Sequence, residues 1–163
     1  MSMTKQTIAL TALIAGLGAV PAMADTSGTY VFGQATHARE TDGAKNVGNG
    51  LGAGVGYRFN DNFAVEGGYT GLRDRHNGMA DQSANVRGVA ILPVTPKVDV
   101  FGKLGYARTG DTLGSGGKDG LTAGVGASYA LDQNWSIRAD YDRLKDRGDQ
   151  KLNTYSAGVQ YKF

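Results

Sequence analysis

Between residues 28 and 163, apolar side chains recur at every second position in one segment after another. A period of two belongs to the β-strand, whose successive side chains point to opposite faces. Leu51, Ala53, Val55, Tyr57 and Phe59 alternate with Gly50, Gly52, Gly54, Gly56 and Arg58. Leu121, Ala123, Val125, Ala127, Tyr129 and Leu131 alternate with Thr122, Gly124, Gly126, Ser128 and Ala130. Tyr155, Ala157, Val159, Tyr161 and Phe163 alternate with Ser156, Gly158, Gln160 and Lys162. The same rhythm runs through residues 63–70, 98–107 and 135–142, and less cleanly through 86–92 and 28–37. In the last of these, Tyr30/Phe32 and Val31/Ala35 both have a claim on the apolar side, and alternation leaves the choice open. Eight strands and no helix are expected.

The connections alternate in length. Residues 60–62, 93–96 and 132–134 are short and carry turn formers, whereas 39–46, 73–82, 109–119 and 145–151 are longer and polar. Short turns at one end and longer loops at the other describe an eight-stranded antiparallel up-and-down transmembrane β-barrel, with tilted strands of roughly 9–11 residues matching the bilayer core. A mean hydropathy of −0.30, with no long apolar run in the body of the chain, excludes a helical membrane protein. It does not exclude a barrel, whose alternation averages away. The absence of cysteine excludes disulfides, zinc–thiolate sites and a cysteine nucleophile. A formal charge of +2 provides no strong field for a polyanion, so no nucleic-acid partner is expected.

Residues 1–24 stand apart. Lys5, an apolar stretch from Ile8 to Val20 and the small-x-small run Ala22-Met23-Ala24 form a cleavable export signal, which places the barrel domain at residues 25–163.

Alternation is shared by soluble barrels of the lipocalin type, in which the apolar side points inward. Three features favour lipid outside. The polar side is crowded with Gly and Ser, which suits a narrow interior. The aromatics also sort by height: Tyr57, Phe59, Phe63, Tyr129, Trp135, Tyr161 and Phe163 fall at the short-turn end, and Tyr69, Tyr106, Tyr141 and Tyr155 at the long-loop end. Two such belts are what interfacial anchoring requires. Finally, the last strand carries Phe163 as an outward aromatic.

Residues 51–72 (LGAGVGYRFNDNFAVEGGYTGL), 94–107 (VTPKVDVFGKLGYA), 128–141 (SYALDQNWSIRADY) and the final VQYKF together resemble the OmpA-like outer-membrane barrel family. The resemblance covers nearly all of residues 28–163 and rests on patterns of facing. It implies a Gram-negative outer-membrane protein inserted by the barrel-assembly machinery, with Tyr161 and Phe163 in the strand which that machinery reads. It also implies that Glu66 pairs with Lys103 and Arg138. Because no sequence follows Phe163, a peptidoglycan-binding domain and a cell-wall tether are not expected.

The glycine run from Gly50 to Gly56 lacks the following helix that a phosphate-binding loop needs, and reads as lumenal packing space. His37 and His76 have no serine at base-like spacing and read as surface residues. Arg73, Asp74, Arg75, Lys145, Asp146 and Arg147 are mixed-charge loop ends suited both to solvent and to lipopolysaccharide phosphates. Arg58, Glu66, Arg87, Lys103, Arg138 and Asp140 project into the lumen. Charges there are costly unless paired, so a network that fills the interior is expected. The reading is a monomeric, non-catalytic barrel with a structural or surface role, in contact with outer-membrane lipids and lipopolysaccharide, without cofactor or metal. A low-conductance channel, a surface adhesin and a lipid-modifying enzyme are the alternatives.

Overall fold

The computed structural model describes residues 27–40, 46–73, 80–110, 118–146 and 151–163. The export signal, His76 and the loop charges Asp74, Arg75 and Arg147 lie outside the described residues. Eight strands follow in order: β1 (Gly28–Glu40), β2 (Asn46–Arg58), β3 (Phe63–Arg73), β4 (Ala80–Pro93), β5 (Val98–Gly110), β6 (Lys118–Ala130), β7 (Trp135–Asp146) and β8 (Lys151–Lys162). Each pairs antiparallel with its sequence neighbours, and β8 pairs with β1 to close the barrel.

The register gives the barrel its shape. Following hydrogen-bonded partners from Tyr30, the path runs through Gly56, Glu66, Arg87, Gly105, Thr122, Leu144 and Leu152. It returns to β1 at Glu40, ten residues from its start. With ordinary strand spacing and rise, that stagger on eight strands sets a tilt of about 40° and a backbone radius of about 8 Å. An interior this narrow is filled by side chains.

Strand facing follows the alternation, and the open question in β1 is resolved. Tyr30, Phe32, Gln34, Thr36 and Ala38 are buried in the lumen, while Ala35, His37 and Arg39 are exposed outside. The reason lies on the partner strand. Tyr30 sits opposite Gly56 and Phe32 opposite Gly54, and a Cβ at either glycine would land on the facing ring. Phe101 stands in the same relation to Gly126. These three rings are the three aromatics that belong to neither belt. Gly54, Gly56 and Gly126 thus make room for particular rings rather than merely economising volume.

The three short turns use one device. Asn60 Oδ1 accepts the N–H groups of Asn62 and Phe63, both at 2.9 Å. Thr95 Oγ1 accepts those of Lys97 and Val98 at 3.2 and 3.0 Å. Asp132 Oδ1 accepts those of Asn134 and Trp135 at 2.8 and 2.7 Å. In each case a side-chain oxygen replaces the backbone acceptor that a tight turn removes. At the other end the strands run further than the alternation indicated, with 11 to 14 residues each. Ladder hydrogen bonds are made by the backbone, so pairing continues into the polar segments at 39–46, 73–82, 109–119 and 145–151.

Candidate functional site

Alternation on β7 sets Arg138, Asp140 and Asp142 on one face, spanning about 13 Å along the lumen. Opposite them lie Glu66 of β3, Arg87 of β4 and Lys103 of β5, all buried. Arg138 forks onto Asp140, donating from Nε to Oδ2 at 3.0 Å and from Nη2 to Oδ1 at 2.9 Å. Its Nη1 donates to Glu66 Oε1 at 2.9 Å and to Gln160 Oε1 at 3.2 Å. Lys103 Nζ donates to Asp140 Oδ1 at 2.5 Å and to Asp142 Oδ2 at 3.0 Å. Arg87 Nη1 donates to Asp142 Oδ2 at 3.2 Å. The second Arg87 amine, Nη2, lies 3.9 Å from Glu66 Oε2 and closes the circle.

Six charges therefore form a ring of alternating sign: Glu66, Arg138, Asp140, Lys103, Asp142, Arg87 and back to Glu66. Three cations balance three anions, so the ring is neutral. Every member has two opposite neighbours, the condition under which buried charge is tolerable. Phe32 and Phe101 place their rings 4.5 and 5.0 Å from the Arg138 guanidinium, adding cation–π contacts on faces that make no hydrogen bond. Tyr30 donates its hydroxyl to Glu66 Oε1 at 2.8 Å. The ring has one soft seam. The Glu66–Arg87 contact is too long for a hydrogen bond, and Glu66 Oε2 and Arg87 Nε have no hydrogen-bond partner.

Towards the short turns a second, separate pair occupies the lumen: Arg58 Nη1 donates to Asp99 Oδ2 at 2.9 Å, and the same guanidinium bonds the carbonyls of Asn60 and Asp61. Between this pair and the ring is a recess of about 30 Å³ bordered by Tyr30, Glu66, Phe101 and Arg138, enough for one or two water molecules.

The expected lumenal residues are thus brought together with differences. Glu66, Arg87, Lys103, Arg138 and Asp140 meet, but Arg58 does not join them and Asp142 does. The expected pairing of Glu66 with Lys103 is corrected. The β3–β4 register sets Arg87 directly opposite Glu66, while two aspartates of β7 hold the Lys103 ammonium. Asp142 and Asp99 were on the lumenal side of the alternation; only the cross-barrel register shows their partners.

The belt residues Phe59, Phe63, Tyr69, Tyr106, Tyr129, Trp135 and Tyr155 are exposed on the outer face. Tyr57 packs edge-on against Phe59, and Tyr161 lies between Trp135 and Phe163, whose rings are 4.9 and 5.1 Å away. Tyr141 and Tyr155 stand 5.1 Å apart at the opposite end. His37 Nδ1 lies 2.7 Å from Asn49 Oδ1 on the outer face. Among the described residues, no group of three or more His, Asp or Glu side chains is placed to hold a metal ion.

A closed eight-stranded antiparallel barrel agrees with what the sequence is similar to. Residues 9–163 match the outer membrane protein beta-barrel domain family. The chain belongs to that family. Outer membrane protein A of Serratia marcescens is 31% identical over 204 residues, covering 99% of this chain and 56% of that protein. Its counterpart in Yersinia pseudotuberculosis is 29% identical over 197 residues, with the same coverage. The chain spans about half the length of these relatives, as the 56% coverage states. Among solved structures, Neisserial surface protein A superposes with a TM-score of 0.67 at 24% identity, covering 84% of this chain and 98% of that one. Ail, the attachment invasion locus protein of Yersinia pestis, solved with the heparin analogue sucrose octasulfate, gives 0.60 at 20% identity, covering 84% and 99%. At such identities these two likenesses concern the fold. This member of the family is an OmpA-like barrel of the Gram-negative outer membrane. In that setting the short turns face the periplasm and the longer connections face outward.

Proposed function

We propose that this chain is a sealed outer-membrane barrel whose role is structural and interfacial, without catalysis. The observation that carries the reading is the neutral six-charge ring across a lumen of about 8 Å backbone radius. An ion entering from either side meets no net charge to attract it. To pass, it would have to part hydrogen-bonded pairs whose side chains are almost completely buried. Under the same reading, the outward series from Tyr155 to Phe163 is what the assembly machinery engages during insertion, and the finished barrel works as a monomer among outer-membrane lipids.

Recording from planar bilayers tests the seal. Purified barrel, shown to be folded by its different gel mobility before and after boiling, is expected to add no resolved current steps. Regular steps in the unmodified protein would assign it to the narrow channels instead, with the Glu66–Arg87 seam as the weakest barrier on the path.

A further inference from the structure

On the periplasmic side of the charge ring the lumen changes character. On three strands the next inward position towards the short turns is apolar: Ala64 below Glu66 on β3, Val89 below Arg87 on β4 and Phe101 below Lys103 on β5. With Tyr30, Phe32 and Ile91 these residues form one buried cluster inside the barrel. On β7 the corresponding position, below Asp140, is held by Arg138. One member of the ring is thus thrust into an apolar layer, where its side chain keeps 1% of its surface exposed.

A guanidinium donates from its edge, and its two flat faces offer no donor. The Arg138 edge is taken up by Glu66, Asp140 and Gln160. Its central carbon lies 4.5 Å from the Phe32 ring centre and 5.0 Å from that of Phe101. Strands β1 and β5 are four apart in a closed barrel of eight, so the two rings come from opposite walls. Ring, guanidinium and ring together reach across a lumen about 16 Å wide between backbones. Gly54 and Gly126 leave the space in which the two rings are seated.

The two kinds of contact hold Arg138 differently. An ion pair can exchange one partner for another, or for water. A cation between two dry aromatic faces has no second position, because moving it opens the apolar layer to water. Apolar constrictions exclude ions by staying dry.

The geometry points to Phe32 and Phe101 as the positioning residues of the seal. They clamp Arg138 into a bar across the lumen, and this bar, rather than the ion pairs above it, is what an ion cannot pass. The inference rests on the sealed reading given above and names the residues responsible for it.

The test compares the unmodified barrel, Glu66→Gln, Phe101→Leu and the double variant Phe32→Ala/Phe101→Ala in planar bilayers, each first shown to be folded by its heat-dependent gel mobility. The unmodified chain and Glu66→Gln are expected to stay silent, and the double variant to give resolved current steps. Phe101→Leu keeps apolar bulk but removes one aromatic face; it should give smaller steps, and it carries the test if the double variant does not fold. A second readout follows Arg138 itself. In micelles its Nε–H resonance should be displaced upfield by the two ring currents, and Phe101→Leu should undo part of that displacement while the bond to Asp140 persists. Mere filling of space would not move this signal. A folded double variant without steps, or Arg138 resonances unmoved by Phe101→Leu, overturns the clamp and leaves the sealed reading standing. Steps in Glu66→Gln as large as those of the double variant return the barrier to the ion pairs. Steps in the unmodified chain overturn the sealed reading and the clamp with it.

Discussion

Two ionic assemblies share the lumen, built from similar contacts. Arg58 and Asp99 meet at 2.9 Å near the periplasmic mouth, and Arg138 and Glu66 meet at 2.9 Å in its middle. The first pair keeps 20% and 25% of its side-chain surface exposed; the second keeps 1% and 2%. The Arg58 guanidinium also leans on two backbone carbonyls and on solvent, so losing Asp99 leaves it other partners. Glu66 has only its ring neighbours and Tyr30. Equal distances therefore do not mean equal consequences. What separates the two is whether water can replace a lost partner.

That contrast is most directly broken at Glu66. Glu66→Gln leaves three cations facing two anions, and removing one partner of a buried pair costs about 3–5 kcal/mol. The recess beside Glu66 admits water, so the lower end, about 3 kcal/mol, is expected in urea-dependent unfolding from lipid vesicles. Conductance should stay small, because the lumen is as narrow as before. A large current with unchanged stability would make Glu66 a gate instead of a structural member.

Steric filling of the lumen comes next. At Gly56 the nearest atoms to an added Cβ all belong to the Tyr30 ring, so Gly56→Ala must displace the group that bonds Glu66. An overpacked core of this kind loses about 1–3 kcal/mol. Gly102→Ala, with nothing within 4 Å, is the matched control and should leave the urea midpoint where it was. Equal losses at both positions would show that backbone freedom, and not the ring, sets the requirement.

Arg58→Met probes the exposed member of the comparison. Its effect should stay below about 1 kcal/mol and shrink further in molar salt. A loss as large as that of Glu66→Gln would erase the distinction between mouth and middle.

The smallest expected effect is at Asp132, in the periplasmic turn. The Trp135 and Asn134 N–H groups, in that order of influence, hold its carboxyl below the usual range. A carboxylate with a depressed folded-state pKa contributes stability above its unfolded value and loses it as pH falls through the folded one. Asp132→Ala should therefore lower the urea midpoint slightly at neutral pH, and the gap should close in acid. A gap that persists unchanged below the carboxylate range would assign it to turn geometry alone.

How much of this was legible in the sequence depended on whether the cause was local. In β2, β5, β6, β7 and β8 one face is plainly apolar, and alternation alone assigns inside and outside. In β1 both faces offer bulk, and the decision rests on Gly54 and Gly56, which lie on another strand and act through register. The ring shows the same limit. Its charges were visible one by one, but Asp142's membership and Glu66's attachment to Arg87 follow from which strands lie opposite, which periodicity does not encode. The strand ends beyond the outer belt were hidden for a different reason. Backbone ladders need no particular side chains, so a polar segment reads as a loop even where it is paired.

Trp135 is the one tryptophan in the chain, and its indole stands 4.9 Å from the Tyr161 ring at the periplasmic belt. The two rings come from β7 and β8, the hairpin that completes the cylinder against β1. The molecule thus carries its own optical reporter at a single known depth. The colour of its emission registers when that hairpin exchanges water for lipid, and energy passed from tyrosine to indole registers when the two strands come into line.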